Sequence, residues 1–357
     1  MKKFLLVFVS IVLCLSFCAC GTANETRTTP VTETASATPT ETQAMTETPG
    51  VSPSPAPVKE KPKVNAAFLS GSTGLGASKL IADAKTGSTF VDYQTLDIIA
   101  DPTAVIAGLK TGKYDVAALP VNVAAKLYNM PDVDVEVVAL NTLGVLYVLE
   151  NETETVKTVA DLKGKTVYTT GEGATPQYIL EYVLKKNGLE VGKDVTVVYR
   201  ATADEVPTDA MASGAVVMLP EPKATVTTKQ ITTLRYALDM TVEWEKVCDS
   251  KLTQGCVVAL KSFVANGKAS LDAFLAEYQT SVAFVNKADD AAAQAVVDAG
   301  IIGKAPIAKA AIPRSNLVCL TGAEMKIALS GTLKALFELD PKSVGGKLPG
   351  DEFYYGT

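Results

Sequence analysis

Val64–Lys85, VNAAFLSGSTGLGASKLIADAK, is the stretch whose reading decides the fold. Val64 to Leu69 is a short apolar run that reads as a strand. Ser70-Gly71-Ser72-Thr73-Gly74-Leu75-Gly76 is a glycine-rich turn, and the amphipathic Ala77 to Lys85 predicts a helix. The turn is not a nucleotide loop. It lacks a Gly-Lys-Ser/Thr ending, and glycines at 71, 74 and 76 do not have the Gly-x-Gly-x-x-Gly spacing. The same order then repeats. Phe90 to Ile98 reads as a strand, and Asp101-Pro102-Thr103 caps a helix through about Thr111. Tyr114 to Leu119 is a third strand, Pro120-Val121-Asn122 opens a helix ending near Asn129, and Val133 to Leu140 alternates like a strand. Strands alternating with helices of about ten residues imply a mostly parallel sheet with helices on its faces.

The pattern restarts further on. Thr158 to Leu162 reads as a short helix and Lys165 to Thr169 as a strand. A second small-residue turn follows, Thr170-Gly171-Glu172-Gly173-Ala174-Thr175-Pro176, and then a helix to about Asn187 with Gly188 as its C-terminal stop. Asp194 to Tyr199, Ala215 to Leu219, Ile231 to Leu238 and Gly255 to Leu260 read as further strands, and Asp204 to Ser213 as a helix that Pro207 disturbs. Three helices, about 269–286, 288–299 and 321–338, complete the chain. The expected architecture is α/β with two lobes. Residues 61–145 and 256–357 form lobe one, residues 146–255 form lobe two, and crossings lie near Gly144–Glu150 and Gly255–Lys261. Trp244, the one tryptophan, is expected in the core or packed at the hinge.

The front of the chain says where the protein works. Lys2 and Lys3 precede an apolar run, Phe4 to Phe17, too short for a comfortable membrane span. The run ends in Cys18-Ala19-Cys20-Gly21, which resembles a bacterial lipoprotein signal, residues 1–20, with Cys20 as the lipidated residue and Cys18 as its competitor. An ordinary export signal cut nearby is the alternative. Residues 21–60 hold 11 threonines and 6 prolines with almost no aliphatic content. Such a stretch cannot bury enough apolar surface to offset chain entropy, and it reads as a disordered, extended tether or a structural stalk.

Composition narrows the chemistry. The formal charge is −6 and becomes more negative once the two leading lysines are removed, which disfavours nucleic acid as a partner. Histidine is absent, so histidine triads and histidine-ligated zinc are excluded. Cys248, Cys256 and Cys319 are the cysteines of the body, with no Cys-x-x-Cys spacing; no metal site and no cofactor are expected. A disulfide between Cys248 and Cys256 stands against small buried thiols as two open readings.

Binding sites in such sheets form beyond the C-terminal strand ends, where loops lead into helices. Ser72, Thr73 and Gly74 follow the first strand, and Asn122 follows the third. Gly173, Ala174 and Thr175 lie in the second small-residue turn, and Glu221 follows the strand Ala215 to Leu219. Small and hydroxyl residues at helix starts leave backbone N–H groups free for a ligand. Taken singly, each is equally a helix cap; taken together they describe a ligand cleft.

These segments resemble the solute-binding proteins of ABC importers, in the nitrate, sulfonate, taurine and thiamine-precursor group. The resemblance covers about residues 62–345. It rests on Gly-Ser-Thr-Gly-Leu-Gly, Ile98-Ile99-Ala100-Asp101-Pro102, Ala118-Leu119-Pro120-Val121-Asn122-Val123-Ala124 with Leu127-Tyr128-Asn129, Asp161-Leu162-Lys163-Gly164-Lys165-Thr166-Val167 and Leu219-Pro220-Glu221-Pro222. It implies a type II periplasmic-binding-protein fold and capture rather than catalysis. Ser72, Thr73, Gly74, Asn122 and Thr142 would meet a small polar organic or anionic solute from lobe one. Gly173, Ala174, Thr175 and Glu221 would meet it from lobe two. It further implies a monomer tethered to the membrane through lipid on Cys20, with an ABC permease as partner. A carboxylate at Glu221 would favour an amine or amidine over a bare anion. Arg200, Arg235 and Arg314 are candidate anion clamps, and Phe68, Tyr93, Tyr147 and Tyr178 candidate stacking residues, Phe68 being expected in the core. The competing classes are a sensory or scaffold lipoprotein of the same fold and an exported enzyme. The adjacent Ser78-Lys79 pair is poor geometry for a hydrolase.

Overall fold

The computed structural model describes residues 60–357; the export signal, Cys20 and all of the tether but Glu60 lie outside the described residues. The opening stretch folds as β1 (Lys63–Leu69), a single turn α1 (Ser72–Leu75) and α2 (Ser78–Lys85). Gly71 makes the bend with φ +102°, a conformation that favours glycine. Then come β2 (Asp92–Ile99), α3 (Pro102–Lys110), β3 (Val116–Pro120), α4 (Val121–Tyr128) and β4 (Val135–Leu143). The Asp101 carboxylate caps α3, accepting the Thr103 N–H at 2.8 Å.

After Gly144 and Val145 the chain enters β5 (Leu146–Asn151). A 3-10 turn at Val159–Leu162 precedes β6 (Thr166–Thr170), α5 (Thr175–Lys186), β7 (Thr196–Arg200), α6 (Val206–Asp209), β8 (Val216–Pro220), α7 (Lys223–Gln230), β9 (Leu234–Asp239) and α8 (Met240–Glu245). The chain closes with β10 (Thr253–Leu260), α9 (Lys261–Asn266), α10 (Lys268–Val285), α11 (Asp290–Asp298), α12 (Ala305–Ala311), β11 (Leu317–Leu320) and α13 (Gly322–Leu339).

Two sheets result, in the strand orders β11-β4-β10-β3-β1-β2 and β7-β6-β8-β5-β9. Each is mixed, where the alternation predicts a mostly parallel sheet. β1 pairs in parallel with β2 and β3, and β6 with β7 and β8. The strands flanking the passages between lobes run antiparallel to their neighbours: β10 to β3 and β4, and β5 to β8 and β9. β4 carries the chain out of the first sheet and β10 brings it back beside β4, so the two oppose one another.

The passages themselves differ from the expected crossings. Leu146–Asn151 is a strand, buried at all six positions, and the first passage is only Gly144–Val145. Gly255 to Leu260 lies within β10, and the second passage is the segment after Glu245 up to Leu252. Pro207 sits in the first turn of α6, where proline is tolerated, and the helix is only four residues long.

Both faces of the first sheet carry apolar clusters. On one, Phe68, Phe274 and Tyr278 pack with ring centroids 5.5, 5.8 and 6.5 Å apart. Full burial of one such side chain stabilises by about 2 kcal/mol. In the second lobe Trp244 is fully buried, 4.8 Å from the Tyr182 ring, and its indole N–H donates to the Ser250 carbonyl oxygen at 2.9 Å. Trp244 therefore belongs to the core and also holds the return passage at Ser250. Cys248, Cys256 and Cys319 are free thiols, so the Cys248–Cys256 pairing is not formed. Cys256 is buried on β10 with its sulfur 3.7 Å from the Leu119 carbonyl oxygen. Among the described residues no helix is long and apolar enough to cross a membrane.

Candidate functional site

Ser72 opens α1, a turn that sits over β1, β3, β4, β10 and β11. That turn is tight: a Cβ on Gly74 would collide with the Leu69 carbonyl oxygen, so only glycine lets the backbone close here. Thr73 holds the turn from its side chain, donating to the Leu69 carbonyl oxygen at 3.3 Å. The Thr73 carbonyl oxygen in turn accepts Asn141 Nδ2 at 3.0 Å, and Thr142 Oγ1 donates to Asn141 Oδ1 at 3.1 Å. Gly255 on β10 makes room for this cluster, since a Cβ there would strike Asn141 Oδ1.

The four predicted loops meet across the two lobes in two pairs. Ser72 Oγ donates to the Glu221 carbonyl oxygen at 2.8 Å. Thr175 Oγ1, at the start of α5, donates to Asn122 Oδ1, near the start of α4, at 2.6 Å. All four residues are buried. Asn122 Nδ2 is wholly buried and has no hydrogen-bond partner. An unpaired buried donor costs about 1–3 kcal/mol, so this group is the strongest local demand for an acceptor. Ala174 precedes α5 with extended backbone. Gly173 stands apart at the exposed rim; its N–H donates to Gln177 Oε1 at 2.6 Å and its carbonyl oxygen accepts Lys126 Nζ at 3.4 Å.

Glu221 presents its backbone, not its carboxylate, to Ser72. The carboxylate turns back into lobe two, where Oε1 accepts Thr225 Oγ1 at 3.0 Å and Tyr236 OH at 2.9 Å, and Oε2 accepts the Thr225 N–H at 3.2 Å. Burial raises the Glu221 carboxyl above its ordinary range, against the pull of these donors and of the Arg314 charge. Burial also pushes the Tyr236 hydroxyl up to about 12, helped by the Glu221 charge.

Of the candidate clamps, Arg200 is bound to Asp209 and Arg235 to Glu150. Arg314 reaches the seam from lobe one: its guanidinium carbon lies 4.5 Å from the Tyr236 ring centroid, and its carbonyl oxygen accepts Tyr147 OH at 2.9 Å. Among the candidate stacking residues, Tyr147 lies beside this seam, Phe68 is core, Tyr93 donates to Glu277 within lobe one at 2.9 Å, and Tyr178 packs into the apolar cluster of lobe one. Ser78 donates to the Leu75 carbonyl oxygen at 2.8 Å and Lys79 pairs with Asp83, so the two do not act on one another.

Asn141, Thr225 and Tyr236 escape sequence reasoning. Asn141 had the signal of standing next to Thr142, and Thr225 that of lying one helical turn past Glu221. Tyr236 reaches Glu221 from another strand and had none.

The family model described as "NMT1/THI5 like" matches residues 95–292, more than half of the chain, and the chain belongs to that family. Solved structures share the fold. A Parabacteroides distasonis protein described as an ABC transporter is 21% identical, covering 82% of this chain and 98% of its own, with a TM-score of 0.69. The periplasmic aliphatic sulphonate binding protein SsuA of Escherichia coli is 17% identical over 80% of this chain and 96% of its own, at 0.64. The alkanesulfonate-binding protein SsuA of Xanthomonas axonopodis pv. citri, bound to MOPS, is 13% identical over 83% and 98%, at 0.59. At these identities the likeness is one of fold: two α/β lobes of the type II periplasmic-binding-protein kind. No curated protein matches the chain in sequence.

Proposed function

We propose that this chain is the extracytoplasmic solute-binding component of an ABC importer, which captures a small polar organic or anionic solute between its lobes and delivers it to a membrane permease. The observation that carries this reading is the seam. Loop tips from both lobes meet there through Ser72–Glu221 and Asn122–Thr175, beside a buried donor with no partner. A solute acceptor at Asn122 Nδ2 would satisfy that donor, and a solute touching both lobes would favour the closed form over an open one. Ser72, Thr73, Gly74, Asn122 and Thr142 act from lobe one, and Gly173, Ala174, Thr175 and Glu221 from lobe two. The fold shared with the Parabacteroides and sulphonate-binding structures supports the same role. The role is capture: the protein binds and releases, and no bond is broken.

The chain acts as a monomer anchored through lipid on Cys20, with residues 21–60 as its tether. A thermal-shift panel of amines, aminopyrimidines, sulfonates and nitrate tests the capture role. One class should raise the melting temperature of the wild type and fail to do so for Asn122→Ala. A flat response across the panel argues for the sensory or scaffold role instead. Labelling cells with radioactive palmitate tests the anchor: label should enter the wild-type chain and be lost in Cys20→Ala, whereas label retained there points to Cys18.

A further inference from the structure

Glu221 and the two tyrosines beside it form a corner whose chemistry the polar seam does not use. Tyr147 on β5 and Tyr236 on β9 meet edge to face, with centroids 5.3 Å apart and planes at 90°. The Tyr236 hydroxyl donates to the carboxylate of Glu221, a residue that is 2% exposed. Asp239 and Glu221 act on Tyr147 as nearby anions and Arg314 as a nearby cation. The face of Tyr236, the Tyr147 ring set at a right angle to it, and a buried acid therefore lie together. Ring faces attract cations, and a buried carboxylate is stable only with a compensating partner. The cation present over the ring is the protein's own, and only its charge acts on Glu221. Arg314, from the other lobe, lays its guanidinium over Tyr236 while its carbonyl oxygen is held by Tyr147. Its residue is exposed, so the side chain has water to swing into.

We propose that Tyr147, Tyr236 and Glu221 form a cation-recognition subsite for a guanidinium, amidinium or ammonium group, with Arg314 as the internal cation that occupies it until a guest arrives. The proposal rests on the solute-capture reading only in taking that guest to be the transported solute, which then carries a positively charged nitrogen.

The test removes the internal cation and offers an external one. Arg314→Ala protein is melted with increasing methylguanidinium chloride or with its neutral counterpart methylurea. Methylguanidinium at millimolar concentration should raise the melting temperature of Arg314→Ala by about 2 °C or more. Methylurea should not, and adding Tyr236→Leu or Glu221→Gln should abolish the shift. If Arg314→Ala does not fold, Arg314→Gln serves in its place, since it keeps a long side chain without the charge. An Arg314 variant that responds equally to methylguanidinium and methylurea overturns the proposal, as does a shift that survives Tyr236→Leu. Solute capture is read separately, from a bound small molecule in a native mass spectrum. An uncharged or anionic solute there, with no methylguanidinium response, sinks the cation subsite and leaves capture standing.

Discussion

Glu150 and Glu221 are both buried carboxylates in lobe two, and they differ in what surrounds them. Burial pushes the Glu150 carboxyl up, but donors from Thr155, Thr153, the Val156 N–H and Arg235 outweigh it and hold the group at about 2. Its stabilising contribution is therefore present above the ordinary glutamate range and is lost as pH falls toward about 2. That depression corresponds to about 3 kcal/mol. Urea unfolding of the wild type should weaken by this order between pH 5 and pH 2, and Glu150→Gln should show a flatter acid limb; parallel limbs would contradict the assignment. Glu221 has the opposite sign. Its carboxyl is raised, so its favourable contribution is complete below the ordinary range and is lost as pH rises through the raised value. Relative to the wild type, Glu221→Gln should gain stability as pH goes from 4 to 8. A difference between the two proteins that does not change with pH would show that the group is not perturbed by burial. The candidate residues were legible one by one because small, hydroxyl and amide side chains cluster at helix starts. Their partners were not. Asn122 bonds Thr175 and Ser72 bonds Glu221 across long stretches of chain, and only the closed seam makes them neighbours.

At the scale of elements, short-range signals were readable and long-range ones were not. The Asp101 cap, the Gly71 bend and the Gly188 stop each act within a few residues, and each appears where the sequence places it. β5 was hidden for the opposite reason. It is the second sheet's most enclosed strand, so alternation is absent, and Glu150 and Asn151 interrupt its apolar run. Glu150 is tolerated there because Thr153, Thr155 and the Val156 N–H donate to it and Arg235, on the neighbouring β9, pairs with it. The turn into α1 carries its own prediction. Gly74→Ala forces a Cβ against the Leu69 carbonyl oxygen, so the turn must shift. Overpacking of this kind costs about 1–3 kcal/mol. The variant should melt lower and lose ligand response together; a variant of unchanged stability and response would mean the turn is more pliant than its geometry implies.

For the molecule as a whole, the interlobe contacts set the scale of the opening equilibrium. Each hydrogen bond across the seam, Ser72–Glu221, Asn122–Thr175, Lys126–Gly173 and Tyr147–Arg314, contributes about 1 kcal/mol net, so these bonds together add only a few kcal/mol to the closed form. A solute that binds both lobes needs only modest differential affinity to shift such a population. The Gly144–Val145 passage is short, and a Cβ on Gly144 would collide with Thr241, so this passage is crowded as well as brief. The two-lobe organisation was legible from the restart of the strand–helix pattern after the fourth strand. The direction of the connecting strands was not, because antiparallel pairing there depends on where the return segment lands. The most direct test of capture is native mass spectrometry of residues 21–357, bare and after adding amines, guanidines, aminopyrimidines, sulfonates or nitrate. The account predicts a single small-molecule adduct that is present only in the native spectrum and is lost in Ser72→Ala/Asn122→Ala. A bare protein mass with every solute, or an adduct that survives both substitutions, would contradict it.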